Sequence, residues 1–70
     1  MSTFRDRLAT EKQELDEKLS KLNTFIAGPN FATVDTIQQS LLKIQASSMK
    51  TYSDCLEERI MYLSQTVATA

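Results

Sequence analysis

The stretch that divides this sequence is Gly28-Pro29-Asn30-Phe31-Ala32-Thr33-Val34. It contains the one glycine and the one proline of the 70-residue chain, side by side. Glycine is favoured just beyond the end of a helix, where it adopts a left-handed backbone at little cost, and proline cannot continue a helix. We therefore predict a turn at 28–34 with one helix on either side of it.

The segment before the turn has the periodicity of a helix over about residues 3–27. Its apolar residues recur at steps of three, four or seven and form one narrow stripe: Phe4, Leu8, Leu15, Leu19, Leu22 and Ile26. Lys12 interrupts this stripe. Glu14 and Lys18 have the acid-first i, i+4 spacing that supports an exposed helix face.

The segment after the turn predicts a longer helix over about residues 35–66, capped by Asp35, with Thr33 and Thr36 as alternative caps. The short linker folds this helix back antiparallel to the first, and Phe31 is expected to close that end of the hairpin. Gln39 is predicted on the polar side. The apolar residues cover a broad arc: Ile37, Leu41, Leu42, Ile44, Met49, Tyr52, Cys55, Leu56, Ile60, Tyr62, Leu63 and Val67.

A narrow-faced helix cannot cover so broad an arc, and a single domain of residues 1–70 buries too little surface to be more than marginally stable alone. One cysteine and no histidine exclude an intramolecular disulfide and a Cys/His zinc site. We therefore predict an all-α, antiparallel two-helix hairpin that assembles into a helical-bundle homo-oligomer, most simply a dimer. The expected interface residues are Ile37, Ile44, Met49, Cys55 and Tyr62; the alternative is that Ile44, Cys55 and Tyr62 are scattered surface residues.

Charge and hydropathy exclude several classes of partner. Eight basic and nine acidic residues give a net charge of −1, so no broad positive field favours duplex nucleic acid. Arg5 and Asp6 stand where a secretory signal needs apolar residues, and no apolar run is long enough to span a membrane. We expect a cytoplasmic protein that binds neither duplex nucleic acid nor membrane.

Residue content also argues against catalysis. Without histidine there is no Ser-His or Cys-His pair, and one glycine cannot form a phosphate-binding loop. Glu57 and Glu58 are predicted on the polar face, and Cys55 beside Asp54 is expected to be an inert packed thiol. We predict that the protein is not an enzyme and needs no cofactor or metal.

Several polar residues fall on or near the apolar faces and therefore need partners. One interpretation is structural: Gln38 and Gln45 set the register of the bundle, and Arg59 reaches a carboxylate such as Glu11. The other is functional, with a polar pocket between subunits formed by Arg59, Tyr52, Lys12, Arg5 and Gln45. In that pocket a guanidinium would grip phosphate oxygens and a phenol ring would stack on a base.

A longer pattern resembles a family of small phage and prophage proteins related to a crAss-like phage protein. It consists of Glu11-Lys12-Gln13-Glu14-Leu15-Asp16-Glu17-Lys18-Leu19, Lys21-Leu22-Asn23-Thr24-Phe25-Ile26, Phe31, Gln45, Met49, Tyr52-Ser53, Leu56 and Arg59-Ile60. The resemblance covers nearly the whole chain, mostly through helical-core residues. It implies a phage origin and an early, accessory role rather than catalysis, which we expect in the host cytoplasm. Small accessory phage proteins often act against host defence, by binding a defence protein or its nucleotide signal, and fold-level analogy suggests the same here.

Two functional hypotheses follow. The first is an anti-defence sponge, a homo-oligomer that sequesters a cyclic nucleotide immune signal without turning it over. The alternative is an inhibitor or adaptor that docks on a host defence or regulatory protein through the apolar strip around Ile44, Cys55 and Tyr62.

Overall fold

Two antiparallel helices joined by a short 3-10 turn make up the described part of the chain. The computed structural model describes residues 3–69, and the side chains of residues 3–63. Helix α1 spans Phe4–Ala27, the 3-10 turn spans Pro29–Thr33, and α2 spans Thr36–Thr69, with no strand among residues 3–69. The predicted all-α hairpin is confirmed. Val67, predicted on the apolar arc, lies outside the described side chains.

Both helices begin at residues whose side chains cap the backbone. The Thr3 hydroxyl accepts from the Asp6 backbone N–H at 3.1 Å, and the Asp6 carboxylate accepts from the Thr3 backbone N–H at 3.2 Å. At the start of α2 the Asp35 carboxylate accepts from the Gln38 backbone N–H at 3.3 Å. Each cap satisfies donors that the first helical turn leaves without an internal partner. Asp35 is therefore the cap of α2, as its spacing from Gln38 predicted.

Gly28 ends α1 in a different conformation from the one predicted. Its backbone is extended, with φ −87° and ψ 171°, and no glycine among the described residues has a positive φ. The expected left-handed glycine was wrong because the residue before a proline is sterically restricted to extended conformations. Gly28 thus ends α1 and begins the 3-10 turn at the same position, with its N–H donating to the Phe25 carbonyl at 3.1 Å.

The turn end of the hairpin is closed by aromatic packing and by one glutamine. Phe31 is buried, and its ring meets that of Phe25 edge-to-face with centroids 6.1 Å apart. Gln39 was predicted on the polar side but is half-buried, because its amide donates to the carbonyls of Phe31 at 3.1 Å and Val34 at 2.8 Å. This one side chain satisfies two carbonyls at the end of the 3-10 turn.

The residues of the seam between the helices follow alternating steps of four and three in both α1 and α2. In α1 it consists of Leu8, Lys12, Leu15, Leu19, Leu22 and Ile26, and in α2 of Leu42, Ala46, Met49, Ser53, Leu56, Ile60 and Leu63, all of them buried or half-buried. This is the spacing of a coiled-coil seam. Leu56 is fully buried, and the molecule is a rod of 53 × 20 × 14 Å. Because the rod is one helix pair thick, each helix has one covered face and a back exposed to solvent.

Candidate ligand-binding cavity

An open cavity of about 420 Å³ lies where the first turns of α1 pack beside the last described turns of α2. It is lined by Phe4, Leu8, Cys55, Glu58, Arg59, Tyr62 and Leu63. Its size falls in the range of small-molecule sites, and most of its lining is apolar with a few polar groups, as is usual for such sites. It is therefore a candidate binding site of the hairpin.

Helical spacing brings these side chains to the same place. Phe4 and Leu8 are four residues apart in α1, while Cys55, Arg59 and Tyr62 follow steps of four and three in α2. Residues at these spacings share one side of a helix. Because the helices are antiparallel, the beginning of α1 meets the end of α2, and the two short rows face the same cavity.

Arg59 and Phe4 form the central contact of the cavity. The guanidinium carbon of Arg59 lies 5.8 Å from the centroid of the Phe4 ring, within cation–π distance. The stacked ring restrains the guanidinium, while the N–H groups at its edge can still donate to an acceptor. The carboxylate of Glu58 lines the same cavity and can accept hydrogen bonds. The arrangement can hold a ligand that has both a flat apolar part and a negative group.

Lys12 lies elsewhere, in a polar cluster inside the seam. Its ammonium donates to Asp16 at 2.7 Å and to the Ser53 hydroxyl at 3.2 Å, and it lies 3.8 Å from a carboxylate oxygen of Glu57. The Ser53 hydroxyl in turn donates to the second Asp16 oxygen. We call Lys12, Asp16, Ser53 and Glu57 the seam cluster. Its mutual hydrogen bonds fix which residues of α1 and α2 stand opposite each other, a role that polar residues play in coiled-coil seams.

The seam cluster shifts the titration of its members. The hydrogen bond that Lys12 donates to Asp16 raises the pKa of Lys12 above its ordinary 10.5, although partial desolvation opposes the shift. The hydrogen bonds from Lys12 and then Ser53 lower the pKa of Asp16 below its ordinary 3.8. Both shifts favour the charged forms, so Lys12 and Asp16 are ionised at neutral pH. The Lys12 ammonium is therefore engaged in contacts within the hairpin.

The predicted ligand-binding residues are thus divided among several places. Arg59 lines the cavity, and Lys12 belongs to the seam cluster. Tyr52 is exposed on α2, away from the residues that line the cavity, and the Gln45 amide lies 3.9 Å from the Met49 sulfur. Arg5 is exposed beside Phe4 in the first turn of α1. One interpretation had Arg59 reaching a carboxylate such as Glu11. In the structure the Arg59 guanidinium lies over the Phe4 ring instead.

The predicted interface residues also divide into two groups. Ile37, Ile44, Cys55 and Tyr62 are exposed on α2. Met49 is half-buried and follows the seam spacing toward α1. The described part of the broad apolar arc therefore contains two separate rows, one inside the hairpin and one on its outside, and Tyr52 belongs to neither.

Four cavity residues, Phe4, Leu8, Glu58 and Leu63, were not recognised from the sequence as part of a site. Phe4 was assigned to the apolar stripe and Glu58 to the polar face. The available signal was the antiparallel pairing itself, which places the beginning of α1 next to residues 55–63 of α2. Residue types alone did not indicate this proximity.

Comparison with known proteins identifies the family. A family model described as Sequestin matches residues 2–62, nearly the whole chain. The chain belongs to the Sequestin family. The chain is also similar to an uncharacterised 7.5 kDa protein from the denB–rIIB intergenic region of Enterobacteria phage T4. It is 38% identical over 60 residues, which cover 86% of this chain and 94% of the relative.

These matches support a family of small phage proteins, whereas the link to a crAss-like phage protein stays a prediction. No solved structure gives a significant match to this chain.

Within residues 3–69, neither helix contains an apolar stretch long enough to cross a bilayer.

Proposed function

We propose that this protein is a phage anti-defence sponge, a homo-oligomer that binds and holds a cyclic nucleotide immune signal without chemical turnover. The observation that carries the proposal is the Arg59 guanidinium held over the Phe4 ring in a cavity of about 420 Å³. The family name denotes sequestration, which supports a binding role. Sequestration requires affinity alone, which suits a cavity whose lining contains no histidine base beside its cysteine.

The chemistry of the cavity suits the parts of a nucleotide. Phe4 and Tyr62 present aromatic surface on which a base can stack, a contact that tolerates different bases. The Arg59 fork can bind phosphate oxygens through two parallel hydrogen bonds. Glu58 can accept from ribose hydroxyls or from an exocyclic amine, since an ionised carboxylate is an acceptor.

The first experiment is native mass spectrometry of the protein purified from phage-challenged, defence-active cells. We expect added mass of nucleotide size on the wild-type protein and none on Arg59→Ala. Recovery of a stoichiometric host protein without a nucleotide would instead favour the inhibitor or adaptor hypothesis and overturn the sponge.

The second experiment is calorimetric titration of the purified protein with cyclic AMP and cyclic di-AMP. Arg59→Ala should weaken binding about tenfold or more, because a hydrogen bond to a charged group is lost. Arg59→Lys keeps the charge without the fork and should recover part of the affinity. Arg7→Ala removes the same charge from an exposed position outside the cavity and should bind as the wild type does.

A further inference from the structure

The exposed side of α2, outside the seam, has a second row with the same spacing as the seam. We call this row the α2 strip; it consists of Ile37, Leu41, Ile44, Ser48, Thr51, Cys55, Glu58 and Tyr62, again at alternating steps of four and three. In α2 the two rows lie on different sides of one helix. A helix with two such rows can pack against two partner helices, one along each row. In this hairpin α1 covers the seam row.

The N-terminal half of the α2 strip is an aliphatic surface. Ile37, Leu41 and Ile44 are 70%, 51% and 60% exposed, although they occupy two consecutive helical turns. Single exposed aliphatic residues are common, but a contiguous row at helical spacing is typical of a helix-binding surface. Glu58 is the single charged residue of the strip, so the strip offers little charge to attract an acidic or a basic partner.

The hairpin exposes more surface than a compact protein of its mass, and this surplus is close to the area that each partner buries in a stable dimer. A compact monomer of 7.9 kDa would expose about 4,400 Å². The hairpin exposes 5422 Å², a surplus of about 1,000 Å². A standard stable interface buries about 800 Å² on each partner. Two copies that cover each other's surplus would therefore form an interface of ordinary dimer size.

We propose that the α2 strip docks on the α2 strip of a second copy, antiparallel and about a two-fold axis. A parallel pairing would place Glu58 against Glu58 of the partner subunit and align the two helix dipoles unfavourably. Antiparallel overlap of the whole strip places Ile37 opposite Tyr62 of the partner subunit. It also places Ser48 opposite Thr51 of the partner subunit near the axis, where short side chains let the helices approach closely.

This docking also encloses the cavity. Cys55 and Tyr62 belong both to the α2 strip and to the cavity lining. In the antiparallel register, Ile44 of the partner subunit stands opposite Cys55, so the second copy forms a wall beside the open cavity. The docking surface follows from the strip and the exposed area, whereas its effect on ligand affinity rests on the proposed function.

The first test is the molecular mass in solution by light scattering. The wild type should have about twice the 7.9 kDa mass of one chain. Ile44→Glu should have the mass of one chain, because it places a charge on the docking surface. Its helical circular dichroism should be retained, because Ile44 is exposed in the hairpin. Ser47→Glu adds the same charge to an exposed position off the strip and should stay dimeric. A wild type with the mass of one chain, or a dimeric Ile44→Glu, would refute the docking surface.

The second test uses the native thiol and does not depend on a destabilised variant. Under mild oxidation Ile44→Cys should cross-link position 44 to Cys55 of the partner subunit, while the wild type and Ser47→Cys should not cross-link. A disulfide between two Cys55 thiols in the wild type would establish parallel pairing and overturn the proposal. So would an Ile44→Cys protein that fails to cross-link.

Ligand binding separates this proposal from the proposed function. Arg59→Ala should lose affinity for cyclic AMP and cyclic di-AMP while keeping the dimer mass. Arg59→Ala combined with Ile44→Cys should keep the cross-link between position 44 and Cys55 of the partner subunit. Ile44→Glu should lose the dimer and, with it, affinity. If the wild type dimerises but binds neither nucleotide, the docking surface stands and the nucleotide function fails.

Discussion

Ser53 in α2 accepts a hydrogen bond from Lys12 in α1, with Oγ and Nζ 3.2 Å apart, and donates to Asp16. One small hydroxyl therefore links the two helices at the middle of an otherwise apolar seam. Ser53 itself is 4% exposed, whereas the side chains of Lys12 and Asp16 are 23% and 44% exposed, so the charged ends of this network also contact water. The hairpin has one polar layer, and that layer sets the alignment of its helices.

Replacing Ser53 should weaken the hairpin measurably. Ser53→Ala removes a partner from both Lys12 and Asp16 and should lower the free energy of unfolding by about 1 kcal/mol. Urea denaturation followed by circular dichroism measures this difference. Ser47→Ala, at an exposed position of the same helix, should be neutral or slightly stabilising, because alanine has the higher helix propensity. Equal effects at both positions would contradict the role of the seam cluster.

Acid should weaken the hairpin through Asp16. The pKa of Asp16 is lower in the folded chain than its ordinary 3.8, so ionised Asp16 stabilises the fold at higher pH. This contribution is lost as pH falls through the folded-state pKa, and the urea midpoint should drop between about pH 5 and pH 2. Asp16→Asn should flatten that dependence, whereas the exposed control Glu14→Gln should leave it unchanged. An unchanged slope in Asp16→Asn would count against the ion pair.

Leu56 should be the most sensitive apolar position of the seam. Its side chain is 0% exposed, and Leu56→Ala would leave a cavity between the helices. Substitutions of this kind cost about 2–5 kcal/mol, a large part of the stability of a small domain. Thermal unfolding should show a much lower Tm for Leu56→Ala than for Met61→Ala, whose side chain is exposed. Similar Tm values would mean that the seam is packed elsewhere.

Gln39 and Gln38 offer a matched pair at the turn. Gln39→Ala removes the amide that bonds the carbonyls of Phe31 and Val34 and should cost about 1–3 kcal/mol. Gln38→Ala removes the same side chain from an exposed neighbouring position and should have little effect. The urea midpoints of the two variants give the comparison directly. A larger loss for Gln38→Ala would show that the turn is not held by Gln39.

The helices were predictable because their signals are local. The pair Gly28-Pro29 marks the turn, and Asp35 lies three residues before Gln38, so spacing alone indicates both boundaries. The assignment of Gln39 to the polar side failed because its partners, the carbonyls of the 3-10 turn, exist only after the chain has folded. The prediction of a left-handed conformation for Gly28 was wrong because Pro29 sterically restricts the residue before it to extended conformations. That restriction outweighs the general preference for a left-handed glycine at helix ends.

The cavity was harder to predict because its lining depends on which apolar residues of α2 face α1 and which face outward. Periodicity showed that α2 has a broad apolar arc, yet it did not separate the residues facing α1 from those facing outward. That division places Met49 on the seam and leaves Tyr52 outside. Lys12 was an attractive ligand group because it interrupts an apolar stripe, but Asp16 and Ser53 satisfy it within the hairpin.

The two rows on α2 also restrict how the gene can change in length. An inserted or deleted codon between Ser53 and Leu56 would rotate everything beyond it by about 100° relative to what precedes it. That rotation would misalign the seam and the outer row in a single step, so no compensating substitution on one face could repair the other. We expect length differences among relatives to fall in the 3-10 turn and at the chain ends, or to come in whole heptads within α2.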